Sequence, residues 1–194
     1  MRSWMMVGVA MIWSLSARTV LAASIGLFST ADCTSCNLTV PEGGSSTLYI
    51  RFTGLSGLPW VNGLLGAEFK VTGLPDGWIA VSTRSAASYT AFGDPFGPTG
   101  ASLGFPTPQT GDCINLYTVT LTSTSAAADI VLRVTKRTPP TNPDFPCPRA
   151  TVECGPCFPL ICVGGGGLLI NSETECTVAV EGSTWSRIKL LYEK

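Results

Sequence analysis

The 194-residue chain contains no histidine, and charged residues make up only 13% of it, 12 basic against 13 acidic. Without imidazole there is no Ser-His-Asp triad, no Cys-His dyad and no His-ligated zinc, copper or haem iron. Without a basic run there is no track for a phosphate backbone, which excludes nucleic acid as a partner. No acidic D-x-D-x-D-G run is present for calcium. The four glycines 164–167 are not followed by Lys-Ser/Thr and read as a bulge or turn rather than a phosphate cradle. No apolar run approaches the roughly 20 residues that span a bilayer. What the chain does have is 45% hydrophobic residues, 21 Gly, 14 Pro and eight Cys.

The first residues read as an export signal. Met1-Arg2 is a short positive start, Trp4–Leu15 is apolar apart from Ser14, and Val20-Leu21-Ala22 fits a signal-peptidase site. Cleavage after Ala22 removes every methionine together with Arg2 and Arg18. Ten basic residues then face 13 acidic ones, and the net charge moves from −1 to −3. The expected organisation is a signal peptide over 1–22, one domain over 23–182 and a C-terminal tail over 183–194. The expected compartment is periplasmic, cell-surface or extracellular.

Export makes disulfides the first reading of Cys33, Cys36, Cys113, Cys147, Cys154, Cys157, Cys162 and Cys176. The connectivity stays open, because eight cysteines allow 105 pairings. Cys154-Gly-Pro-Cys157 has the letters of a thioredoxin dithiol, but Pro159 and the four glycines cannot propagate the helix that chemistry requires. A thiolate zinc site from Cys33, Cys36, Cys154 and Cys157 has the right spacing within pairs, in the wrong redox compartment. No metal or cofactor is therefore expected.

Beyond residue 22 the dominant period is two. Leu48, Ile50 and Phe52 alternate with Tyr49, Arg51 and Thr53; Ala67, Phe69 and Val71 alternate with Glu68, Lys70 and Thr72. The segments 117–121 and 130–135 behave alike, and 25–28, 37–40, 78–83, 168–171 and 176–180 are shorter candidates. Strands with one apolar face, separated by Gly43-Gly44, Asn62-Gly63 and Asp76-Gly77, predict an all-β fold, an antiparallel β-sandwich of about eight or nine strands. A short amphipathic helix at the C-terminus, with Trp185, Ile188, Leu191 and Tyr192 on one face, either docks that face on the sandwich or serves as a tail for an export or attachment machinery.

Two segments lack this alternation. Residues 84–112 are rich in Ser, Ala, Gly, Pro and Thr and read as a long loop, with a short strand possible only at 101–105. Its aromatics Tyr89, Phe92, Phe96 and Phe105, together with Trp60, are the candidate binding residues. They either stack on a ligand or fold back over the core. Residues 138–159 hold seven of the 14 prolines and read as a disulfide-pinned covering strap, since such backbone does not join central strands. Glu173 and Glu175 share a face on a strand, where solvated carboxylates are the default. Asn37-Leu38-Thr39 is a glycosylation sequon only in a host with that machinery, and Ser186-x-x-Lys189 lacks the partners of a penicillin-binding enzyme.

Asn37-Leu-Thr-Val-Pro41, an alternating strand, and then Gly66-Ala-Glu-Phe-Lys-Val-Thr-Gly-Leu-Pro-Asp-Gly-Trp78 resemble the opening of a cohesin domain. The resemblance implies a cohesin-like or jelly-roll-type sandwich that engages a protein through one sheet face, as cohesins engage dockerins; related sandwiches bind carbohydrate. The later part, with Cys162-Val-Gly-Gly-Gly-Gly, Leu169-Ile-Asn and Thr184-Trp-x-x-Ile-Lys-x-Leu-Tyr192, resembles exported bacterial proteins of similar size. The eight cysteines and the Pro-rich strap depart from cohesins. The chain thus reads as a non-catalytic binding module for a protein or carbohydrate. The alternatives are a structural subunit of an extracellular layer or filament, and a carbohydrate hydrolase built on two carboxylates.

Overall fold

A computed structural model describes residues 23–174. The signal segment, the 176–180 strand, Cys176 and the 183–194 helix of the sequence reading lie outside the described residues. Among those described there are thirteen strands. The first seven are β1 (Ser24–Phe28), β2 (Asn37–Leu38), β3 (Ser45–Thr53), β4 (Gly63–Thr72), β5 (Ile79–Arg84), β6 (Thr90–Asp94) and β7 (Gly100–Gln109). The rest are β8 (Cys113–Thr122), β9 (Ile130–Thr135), β10 (Arg149–Glu153), β11 (Leu160–Cys162), β12 (Gly164–Gly165) and β13 (Gly167–Ile170). A single 3-10 turn, Leu55–Gly57, joins β3 to β4.

These strands form an all-β sandwich. One sheet has the order β12-β1-β3-β8-β5. The larger one is organised around β4, which pairs with β7 along Leu64–Phe69, and β7 carries β6 on its far side. The other edge of β4 is shared: β10 pairs with Gly63–Glu68 and β9 with Lys70–Thr72. Thus β9 and β10 stand end to end in one column, and residues 136–148 leave that column and return to it. The run 160–170 continues the arrangement outward, first as β11 on β10 and then as β13 on β9. Pairing is antiparallel except where β12 meets β1 and β13 meets β2, which are parallel.

Period-two alternation puts the core between the sheets. Ile25, Leu27, Leu48, Ile50, Phe52, Val119 and Leu121 from one sheet meet Ala67, Phe69, Val71, Leu103, Leu132, Val152 and Leu168 from the other, all buried. Asn171 closes β13 at φ 52°, a conformation Asn tolerates better than most residues. Its side chain accepts from the Val40 amide and donates to the Val40 and Ala127 carbonyls.

Tyr117 belongs to this core, edge-on to Phe69 with ring centroids 6.0 Å apart, yet its hydroxyl finds no hydrogen-bond partner. Burial, helped by the charge of Asp94 and opposed by Arg84, pushes its pKa up to about 12. The neutral phenol is therefore the form the fold favours. Its contribution is present below pH ~10 and lost as pH rises toward 12. Tyr117→Phe removes only the orphaned hydroxyl, so it should be neutral or stabilising by up to about 1 kcal/mol. Denaturant midpoints of the two chains test this, and a clear loss of stability would contradict it.

Three sequence expectations are corrected. Residues 84–112 are not a loop, because β6 and β7 occupy most of them. In β7, Ala101, Leu103 and Phe105 face the core and are buried. The prolines 106 and 108 fall where β6 has ended and that edge needs no N–H. The 138–159 strap is also only partly a strap, since β10 lies within it and is a central strand flanked by β4 and β11. Gly164 to Gly167, read as a turn, contributes β12 and the start of β13.

Candidate functional site

The outer face of the larger sheet brings together residues from five strands. Register places Phe92, Ser102, Glu68, Arg149 and Cys162 in one row across β6, β7, β4, β10 and β11. The next row is Thr90, Gly104, Gly66, Thr151 and Leu160. Gly104 and Gly66 lie side by side between Thr90 and Thr151, and neighbouring atoms already crowd the space that side chains there would take. A Cβ on Gly66 would stand 2.9 Å from the Leu103 carbonyl oxygen, and one on Gly104 would stand 3.0 Å from Thr90 Oγ1. Phe92, 67% exposed, stands on one side of these glycines, and the exposed Leu160 on the other.

Part of this face is covered. Arg149 is the largest fully buried side chain of the described residues, although it points away from the core. It forms an ion pair with Glu68 through Nη2, donates from Nη1 to the Asn142 carbonyl at 3.5 Å, and lies over the Phe145 ring at 5.6 Å. Glu68 also accepts from the Thr141 amide at 3.0 Å and from Thr141 Oγ1 at 2.5 Å. Segment 136–148 is thereby fastened over the middle of the sheet face. The Thr138 amide, bonded to the Thr99 carbonyl, holds one end and the Cys147–Cys162 disulfide the other. Burial pushes the Glu68 carboxyl up, but the hydrogen bonds from Thr141 and Arg149 and the Arg149 charge outweigh it. They hold the group below the ordinary carboxylate range. An acid so engaged is occupied structurally and is not poised for proton transfer.

The candidate aromatics are placed differently from one another. Tyr89 and Phe92 are strongly exposed and Trp60 is half exposed, whereas Phe105 is buried and Phe96 packs partly against the core. Phe92 stands on the sheet face, Tyr89 just before β6, and Trp60 after the 3-10 turn. Sequence reading missed Arg149 and Glu68, whose pairing spans 81 positions. A cavity of about 220 Å³ lies beside Trp60, lined by Leu55, Ser56, Leu58, Pro59, Val61, Gly111 and Asp112. It falls below the roughly 300–1,000 Å³ usual for small-molecule sites.

The seven described cysteines are in bridges. Cys33–Cys113, Cys147–Cys162 and Cys154–Cys157 are paired, and Cys36 is also disulfide-bonded. These bridges use the sulfurs that a zinc site from Cys33, Cys36, Cys154 and Cys157 would need.

No family model matches the chain, and no curated protein matches it by sequence. Solved structures do match. The sixth cohesin of scaffoldin B from Acetivibrio cellulolyticus, solved in complex with a mutant Cel5 dockerin, is 11% identical with a TM-score of 0.51, covering 78% of this chain and 99% of that one. The seventh ScaB type I cohesin of Pseudobacteroides cellulosolvens is 12% identical with a TM-score of 0.52, covering 81% and 96%. The chain has the cohesin fold. At this identity the likeness concerns architecture and carries no residue of a binding site from one protein to the other. The disulfides and the strap over Arg149 are built onto this cohesin-like frame.

Proposed function

We propose that the chain is an exported, non-catalytic module that binds a protein partner through the outer face of its larger sheet. The observation that carries the proposal is Phe92, an aromatic 67% exposed on the outer face of β6, in one row with Ser102 of β7 and Glu68 of β4. Aromatic anchors are where interface energy concentrates. An extended face suits a macromolecule better than a small ligand. The disulfides support export, and the solved cohesin–dockerin complex shows that this fold can present a protein-binding surface.

The test is capture from the extracellular fraction of the source organism with the immobilised chain. One protein should be retained specifically, and Phe92→Ala, at an exposed position where folding is untouched, should weaken its binding by about 30-fold or more. Retention of a polysaccharide in place of a protein, or a captured protein indifferent to Phe92→Ala, would overturn the reading. Among the described residues no helix is long and apolar enough to cross a membrane.

A further inference from the structure

The sandwich has a second uncommitted feature, the free edge of β5. This strand pairs only with β8, in the register Ile79 with Thr122 through Arg84 with Tyr117. The Ser85 amide extends that register to the Leu116 carbonyl at 2.8 Å. Odd-numbered residues therefore direct their backbone groups to β8, and Ala80, Ser82 and Arg84 direct theirs outward. No described residue pairs with that edge.

Exposed edges in monomers are normally blunted by lysine, proline, a bulge or shortness. The other outer strands show such devices. β2, β11 and β12 have only two or three residues, and β6 is kinked at Gly93, with φ 75°. β5 has six residues without proline, lysine or irregularity in its pairing. Its outward-facing side chains Ile79 and Val81 are 53% and 59% exposed. They continue an uncharged face in which Ser45, Thr122 and Ile79 form one row, Thr47, Thr120 and Val81 the next, and Tyr49, Thr118 and Thr83 the third.

We infer that β5 is a dimerisation edge that joins a second copy of this chain antiparallel across a two-fold axis at Ala80. The strand is complementary to itself in that register. Ile79 of each copy falls opposite Val81 of the other, an apolar β-branched pair. Arg84 lies just beyond Trp78 of the other copy, where the turn Pro75–Trp78 carries the exposed Asp76, so the basic end of each copy meets the acidic end of the other. Ala80 donates to Ala80 in both directions, and Ser82 donates to the Trp78 carbonyl in both. The two five-stranded sheets become one continuous sheet, and the uncharged threonine-rich face doubles. An isologous contact of this kind closes after two copies and builds no filament.

Sedimentation analysis from low to high micromolar concentration tests the inference. The expected result is a reversible monomer–dimer equilibrium. Ala80→Pro removes an outward N–H while leaving the β8 ladder intact, and should give a monomer whose thermal unfolding matches wild type at concentrations where wild type is itself monomeric. Arg84→Asp should raise the dimer dissociation constant about tenfold through two symmetric pairs, and adding Asp76→Arg should restore it. A monomer at every concentration would overturn the inference. So would a dimer that neither Ala80→Pro nor the charge exchange affects.

Discussion

Glu68→Ala will destabilise the fold by about 3–5 kcal/mol, the usual cost of leaving a buried guanidinium without its counter-charge. Arg149 is shielded by residues 136–148 on one side and by the sheet on the other. It cannot reach water unless the strap opens. Thr141 loses both of its bonds at the same time. Changing both partners together, Glu68→Leu with Arg149→Met, should cost far less than either change alone, because the uncompensated charge is then gone.

The pH dependence has a definite sign. The Glu68 carboxyl lies below its ordinary value in the folded chain despite the opposing effect of burial. Its contribution is therefore full above the ordinary carboxylate pKa of about 4.3 and declines as pH falls through the lowered folded value. Wild type should lose stability in this acid range with a slope that Glu68→Gln lacks. Urea denaturation over a pH series reads that slope, and amide exchange at Thr138 and Thr141 reports whether the strap opens first. Equal stability of wild type and Glu68→Ala would remove the latch from the account.

The sequence makes such a latch hard to see. Glu68 sits in Ala67-Glu-Phe-Lys-Val71, where alternation correctly puts it on the outer face, and an outward glutamate reads as solvated. Its burial depends on Arg149, which opens a strand inside Pro-rich sequence and meets Glu68 only through the β10–β4 register. The strands that were legible, β3, β4, β8 and β9, alternate large apolar residues with Thr, Lys or Arg. β6 and β7 were hidden because their composition answers another demand. A Cβ on Gly100 would lie 2.5 Å from the Phe69 carbonyl oxygen, so backbone packed this closely needs the small residues that elsewhere mark loops. Once β6 and β7 are strands, parity sorts the aromatics. Phe105 falls inward with Ala101 and Leu103, and Phe92 outward with Thr90.

Removing the Cys33–Cys113 bridge by paired Cys→Ser substitution is the other change with a large expected effect. The bridge closes a separation of 80 residues, worth about 4.5 kcal/mol if it acts by restricting the unfolded chain. It ties the loop between β1 and β2 to the start of β8, in the sheet whose ladders build half the core. Cys154–Cys157, with a separation of three, should contribute only about 1.5 kcal/mol by the same reasoning. Cys147–Cys162, with a separation of 15, falls between them at about 3 kcal/mol. Denaturant unfolding of the three paired serine variants should rank them in that order, and a variant lacking Cys154–Cys157 that proved the least stable would contradict the chain-entropy account. The intermediate bridge also has a distinct signature. It anchors the end of the strap that Glu68 fastens in the middle, so its loss and Glu68→Ala act on one segment. Combined, they should cost less than the sum of their separate effects, whereas Cys33–Cys113, remote from the strap, should add to either.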